Sequence, residues 1–343
     1  MAPASRSRLP GSDELTQALR RRDIETAAAL LATTDIGASV DWGSLPPWLA
    51  HEVRQERHRR RDLDIRLDRH VEATRAQIER DGWAPWRRIT EEQVSRLRLG
   101  VDSFVEEADR DMVTRAPAYL DRNYRMPQDG YTCNDFLAYA PQMLEVLSEP
   151  ALVELASAYL GRQAHLQRVM AMRYLPSASS YDHQFRWHHD MWDRRLKLYV
   201  LLSDIGPEDQ PMRFVVGSHA IKHSLTRFRT NRVTLGYCRR RLGGVQEVAL
   251  TGKAGDSFLF DSNGVHIATR RPTAPQRDVA IVEWSPSLAW IVGTDRDVSN
   301  DVGRFSPEVR TSVEAFAHAR PPWVAGSEQA RSWAVSLDRP DLW

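Results

Sequence analysis

The chain is poor in cysteine, lysine and long apolar runs, and each shortage excludes something. Its two cysteines, Cys133 and Cys238, lie far apart with no C-x-x-C partner, so neither a disulfide framework nor a cysteine zinc site is indicated. Lysine occurs only at Lys197, Lys222 and Lys253 while arginine is abundant, a bias that carries no functional weight at this level. No stretch approaches the ~18 apolar residues a membrane span needs, and the start "MAPASRSRLPGSDELTQ" has basic residues without an apolar core behind them. Excess charge is missing too: the formal net charge is +1, which gives no reason to expect a nucleic acid. These absences point to a cytoplasmic globular enzyme without membrane or nucleic-acid partners.

With 343 residues the chain exceeds one ordinary domain, so a large domain with extensions or two domains would fit. The texture changes near Asp81-Gly82-Trp83. Before it, "SDELTQALRRRDIETAAALLATT" starts with a Ser/Asp cap signal and carries apolar residues at helical spacing, and a second run from about Pro47 to Arg80, with only a poor apolar stripe at Leu63, Ile65, Leu67 and Val71, completes an N-terminal part that should be helical. Within the second, "RQERHRRRDLDIRLDR" is dense in charge but mixed in sign, which suits a solvated helix face better than a phosphate-binding patch. After it, "TEEQVSRLRLGVDSFVEEADRDM" opens on a capping box at Thr90, and "PQMLEVLSEPALVELASAYLG" predicts two short helices broken at Pro150 and stopped at Gly161.

From His165 the period shifts toward strands. "HLQRVMAMRYL", "QFRWHH", "LKLYVLLSDI", "MRFVVG", "QEVALTG", "DSFLFD", "VHIATR" and "DVAIVEW" are short apolar or alternating runs bounded by turn residues. Such spacing predicts an antiparallel barrel or jelly roll with a helical jacket. The last fifty or so residues return to loops and one helix, "SPEVRTSVEAFAHA".

The stretch "QFRWHHDMW" is the chemical focus. If it is extended, His188 and Asp190 share one face and Trp187 and His189 the other. An imidazole and a carboxylate then converge. A third ligand would complete a facial triad of two histidines and a carboxylate, which suits non-haem Fe(II); the alternative is a hydrogen-bonded pair on a half-buried strand. Candidates for the third ligand are His219, His223 and His266, with weaker context for His165 and His318. His266 follows "GKAGDSFLFDSNG", a turn, a strand and a second turn that would deliver it to a barrel mouth, whereas His219 in "VVGSHA" suits a turn histidine bonding backbone. Arg277 opens the strand after His266, where its fork could grip a carboxylate.

From about Asp81 to Pro286 the chain resembles the phytanoyl-CoA dioxygenase family of Fe(II)- and 2-oxoglutarate-dependent oxygenases. The resemblance is carried in order by "RDGW", "LSEPALVELASAYLG", "FRWHHD", "LKLYVLLSDI", "MRFVVGSHAIKH", "GDSFLFDSNGVH" and Arg277. It implies a double-stranded β-helix (jelly-roll, cupin-like) core, mainly β with a helical jacket, and iron held by His188, Asp190 and His266. It also implies 2-oxoglutarate gripped by Arg277 and consumed with O2 to give succinate and CO2. Halogenating relatives replace the carboxylate with a small residue, so Asp190 makes hydroxylation the leading outcome, with desaturation, ring closure and epoxidation open. Many relatives carry a hydroxyl residue two positions after the distal histidine; here Ala268 stands there, followed by Thr269. Either Thr269 substitutes from a shifted position or Arg277 acts with less help.

The expected organisation is an N-terminal helical extension over 1–71, the oxygenase domain over 72–291, and a tail over 292–343 with a helix packed on the core. Arg186, Trp192 and His219 are the candidate substrate-pocket residues. The substrate would be a small metabolite or natural-product intermediate, with a carrier-protein or CoA thioester as the alternative. A catalytically silent jelly-roll binding module is the competing class; it requires loss of a ligand or of the arginine, and neither is visible.

Overall fold

The computed structural model describes residues 65–111, 123–126, 130–161, 164–176, 186–190, 194–221, 232–269 and 272–285, with isolated positions at 26, 298, 307, 310, 313, 314 and 316. The expected N-terminal helices before residue 65, most of the tail, Trp192, His223 and His318 lie outside the described residues.

Helix α1 (Arg69–Asp81) begins at Asp68, whose carboxylate accepts from the amides of His70 and Val71 at 2.9 Å each, and buries Val71, Thr74 and Ile78 on one stripe. It ends at Gly82, with φ +83°. A Cβ there would sit 2.5 Å from His219 Nδ1, so the turn requires glycine on both conformational and steric grounds. Strand β1 (Trp83–Pro85) follows, then helix α2 (Glu91–Asp111). Thr90 and Gln93 realise the capping box through reciprocal bonds of 2.9 and 3.1 Å. Leu97, Val101, Phe104 and Ala108, spaced four, three and four apart, form the buried seam of α2.

Strands β2 (Asn123–Met126) and β3 (Gly130–Cys133) precede three short helices, α3 (Phe136–Tyr139), α4 (Met143–Leu147) and α5 (Pro150–Leu160). Proline at the first position of α5 and the left-handed Gly161 after it set the expected bounds. The remaining elements are β4 (His165–Tyr174), β5 (Leu196–Leu201), β6 (Met212–Val215), a 3₁₀ turn (Ser218–Ala220), α6 (Leu235–Leu242), β7 (Glu247–Leu250), β8 (Ser257–Asp261), β9 (His266–Ala268) and β10 (Arg277–Ser285).

The strands form a seven-stranded antiparallel sheet in the order β1-β8-β5-β10-β4-β3-β2 and a three-stranded antiparallel sheet in the order β7-β6-β9. Together they make a jelly-roll core. Alternation along β10 sorts the side chains: Ala280, Val282 and Trp284 join the core that includes Val71, Leu97, Phe104, Leu152 and Leu155 of the helices. Val279 and Ile281 point instead into the space between the sheets, with Met170, Met172, Tyr199, Met212, Phe214, Phe258 and Phe260. Of the tail, Val313 and Phe316 are buried in the outer cluster beneath the helices. Two features differ from the strand pattern read in sequence. "QFRWHH" pairs only through a bridge at His188 among the described residues, and β1, β2 and β3 add strands too short to show a period.

Candidate metal centre

The backbone around the histidines is pinned from several sides. His188 and His266 bridge antiparallel, exchanging amide–carbonyl bonds of 3.0 and 2.8 Å, while the Asp190 amide donates to the Ser262 carbonyl at 2.9 Å. The turn before β9 is closed by the Asn263 amide on Asp261 Oδ1 (2.9 Å) and the Gly264 amide on the Asp261 carbonyl (2.9 Å). A Cβ on Gly264 would come within 2.0 Å of the Phe214 ring, so only glycine fits there. Ser218 joins this turn to β6, donating to the Val215 carbonyl at 2.6 Å and accepting from the Val265 amide at 2.7 Å. The amides of Gly217 and Asp261 donate to Asp81 and Gly82, at 2.8 and 2.9 Å, which is what the "RDGW" motif does structurally.

Three ligand atoms converge on this frame. His188 Nε2 and His266 Nε2 lie 3.4 and 3.5 Å from Asp190 Oδ1, and one potential ligand atom from each residue lies within 4.8 Å of the others. Each ring is oriented through its other nitrogen: Nδ1–H of His188 donates to the Arg186 carbonyl at 2.7 Å, and Nδ1–H of His266 to the Gly264 carbonyl at 2.8 Å. Both Nε2 lone pairs are thereby presented to the same point. Burial, and then the neighbouring His266, push His188 below the ordinary imidazole range, which favours the neutral ligating form. Burial pushes the Asp190 carboxyl up, but Lys197 and then the two histidines outweigh it and hold the group well below the usual carboxylate range.

Lys197, on the inner face of β5, contacts Asp190 Oδ2 and lies 3.6 Å from Glu283 Oε2; Glu283 Oε1 accepts from Arg195 at 2.7 Å. Sequence reading missed this network. Its signal was a lysine inside the apolar run "LKLYVLL" of a chain that has only three.

Arg277 begins β10 on the inner face and is 1% exposed. Its guanidinium carbon sits 4.0 Å above the Tyr174 ring, and one terminal nitrogen donates to the Gln210 carbonyl. Gln210 is the non-glycine residue with positive φ, +62°, among the described residues. Among the described residues, Arg277 Nε and its other terminal nitrogen have no partner. A buried donor left unsatisfied costs about 1–3 kcal/mol, so two on one guanidinium make this edge a candidate for holding a bound acceptor such as a carboxylate.

Other expected residues are placed elsewhere. Thr269 lies on the Ile267 side of its strand, away from His266 and Ala268, and its hydroxyl donates to the Pro211 carbonyl at 2.6 Å. Ala268 faces inward opposite Met212. His219 donates from Nε2 to the Glu79 carbonyl at 3.1 Å, tying its turn to α1 rather than joining the triad. The Arg186 side chain is exposed, and Trp187 packs near Val233, Tyr237 and Val265. His189 is buried.

The model of the family described as phytanoyl-CoA dioxygenase matches residues 78–279, more than half of the chain, and takes in the triad and Arg277. The chain belongs to this family. Its members are oxygenases that use iron and 2-oxoglutarate, and the residues here fit both: two imidazole nitrogens and a carboxylate oxygen for the metal, a buried guanidinium edge unfilled among the described residues for a dicarboxylate. No curated protein matches the chain. Among solved structures it is similar to EctD from S. alaskensis, determined with bound Fe, at 20% identity over 70% of this chain and 88% of that one, with a TM-score of 0.52. This likeness concerns the fold. AviO1 from Streptomyces viridochromogenes Tue57 (20% identity, 65% and 97% covered, TM-score 0.48) and the non-heme alpha ketoglutarate dependent epimerase SnoN from nogalamycin biosynthesis (18%, 63% and 82%, 0.46) are also similar. Among the described residues no helix is long and apolar enough to cross a membrane.

Proposed function

We propose that this family member hydroxylates an unactivated C–H bond of a small metabolite or natural-product intermediate, with His188, Asp190 and His266 holding Fe(II) and Arg277 holding 2-oxoglutarate. The observation that carries the reading is the pairing, inside one barrel, of the converged triad with a buried guanidinium whose free edge has no partner among the described residues. A silent binding module would have no reason to retain both.

With O2 as the oxidant, bound iron and 2-oxoglutarate would supply the chemistry: one oxygen atom of O2 would end in succinate as 2-oxoglutarate loses CO2, and the other would be left for the substrate C–H bond. The protein's part is positional. The carbonyls of Arg186 and Gly264 fix the two rings, so neither needs to reorient when metal arrives. Asp190 supplies a third ligand rather than leaving a vacant position. Arg277, already held by Gln210 and Tyr174, offers its remaining nitrogens to a carboxylate. Thr269 supports that grip at one remove, because Pro211, which takes its hydroxyl, adjoins Gln210. Val279 and Ile281, between Arg277 and Glu283 on the inner face, keep the intervening surface apolar and restrict water.

The test is aerobic incubation of protein with Fe(II) and 2-oxoglutarate but without substrate. Slow formation of succinate above a metal-free control is expected. Its absence at every iron loading would favour the silent module.

A further inference from the structure

Lysine is scarce in this chain, yet one of the three is placed inside the barrel. Lys253 is surface-exposed at 71% of its side chain, whereas the Lys197 side chain is 12% exposed. Across the sheet its register partner is Glu283, and its ammonium lies between that carboxylate and Asp190. The two oxygens of Asp190 have separate surroundings: Oδ1 faces His188 Nε2 and His266 Nε2, and Oδ2 faces Lys197.

That division has a chemical consequence. A carboxylate can bind a divalent ion through one oxygen or through both. Three single-atom ligands on one face leave the other positions open, whereas a two-oxygen carboxylate takes one of those needed by a chelating cosubstrate and O2. We propose that Lys197 is a positioning residue that holds Asp190 as a one-oxygen ligand by occupying Oδ2. The inference rests on the reading that the triad binds iron.

The residue type fits this duty better than the arginine used almost everywhere else in the chain. A guanidinium fork spans both oxygens of a carboxylate and would compete with metal for Oδ1; an ammonium is a single point of contact. Glu283, held from its other side by Arg195, supplies the second counter-charge that makes a buried ammonium tolerable while leaving it aimed at Asp190. The ammonium also repels a dication nearby. If its only role were to favour metal binding, a positive charge at this position would be a poor choice.

The charge and the geometry predict opposite effects on two ligands. Lys197→Met removes the cation and frees Oδ2; Lys197→Gln removes the charge but keeps an N–H donor for Oδ2. Fe(II) is titrated anaerobically into each purified protein, and 2-oxoglutarate is then titrated into the loaded protein and followed by the visible band of its iron chelate. Lys197→Met is expected to bind Fe(II) as tightly as wild type or more tightly, and 2-oxoglutarate roughly tenfold or more weakly. Lys197→Gln is expected to stay within about threefold of wild type for both ligands. The proposal is overturned if the Met variant keeps its 2-oxoglutarate affinity, if it loses Fe(II) affinity, or if the Gln variant is as impaired as the Met variant. Circular dichroism checks folding; should the Met variant not fold, the Gln variant decides alone, with weakening of both ligands by roughly tenfold counting against the idea. A wild type that binds no iron would overturn the metal site itself, a result distinct from any difference between variants.

Discussion

Along β10, alternate residues live in two environments. Ala280, Val282 and Trp284 face outward under the helices, and the outer face ends in Asp278, which pairs with Arg173 at 2.7 Å. Val279 and Ile281 face inward between the sheets, and that row begins at Arg277 and ends at Glu283, both nearly inaccessible to water. On the outer face the charged partners satisfy one another. On the inner face Arg277 keeps an unsatisfied edge, and Lys197 and Glu283 lead to a metal ligand. Along this strand, the buried charge paired within the chain serves the fold, while the one with an open edge is where a ligand is proposed.

The comparison is broken most severely at the triad. His188→Ala or His266→Ala should abolish Fe(II) binding, because each removes one of only three protein ligands, while His189→Ala and His219→Ala should retain it. The readout is the chelate band in anaerobic protein with Fe(II) and 2-oxoglutarate. A band that persisted in His266→Ala and vanished in His219→Ala would place the metal on other residues.

On the outer face, Trp284→Ala leaves a cavity beneath the helices and should lower unfolding free energy by about 3–5 kcal/mol, measured as a shift of the urea midpoint. If the two faces are as distinct as the structure makes them, folded Trp284→Ala protein keeps its Fe(II) affinity. A large loss of metal binding in that folded variant would show that the faces are coupled.

Arg277→Ala is expected to do the reverse. Loss of charge-assisted bonds at a buried site is worth roughly 1.5–3 kcal/mol, about one to two decades in 2-oxoglutarate affinity, with Fe(II) affinity nearly intact. Arg277→Lys should fall between, because a point charge replaces a fork poorly. Isothermal titration with 2-oxoglutarate checks both, and an unchanged affinity in Arg277→Ala would remove that assignment.

The smallest effect sharpens the inner face. Ala268 points inward where many relatives have a hydroxyl, and Thr269 spends its own on Pro211. Ala268→Ser should therefore tighten 2-oxoglutarate binding by about 1 kcal/mol, some fivefold, if Arg277 works alone at that end. No gain would mean that the carboxylate lies beyond reach of residue 268.

Much of this was written locally. Apolar spacing and caps gave α2, α5 and the main strands, because hydrophobic period and turn chemistry act over a few residues. Parity alone placed His188 and Asp190 on one side, and it held even though their segment forms only a bridge rather than a full strand. The same parity separates Ala268 from Thr269, although which side faced the cavity was not legible from it. Strand β1 escaped notice because three residues ending in proline carry no period; it forms by pairing with β8, some 170 positions later. Gln210 carried no signal either, since a carbonyl that meets Arg277 depends on backbone conformation and not on side-chain type.

The sequence by itself therefore determined the elements, the order of the motifs and the residue types able to ligate. Only the tertiary structure decided that His219 ties its turn to the Glu79 carbonyl, that Arg277 keeps an unfilled edge among the described residues, and that Lys197 reaches Asp190. The physical reason is range. Periodicity and capping are properties of neighbours in the chain, whereas a metal site is a coincidence of side chains from separate strands, fixed by sheet register and by which face each strand buries.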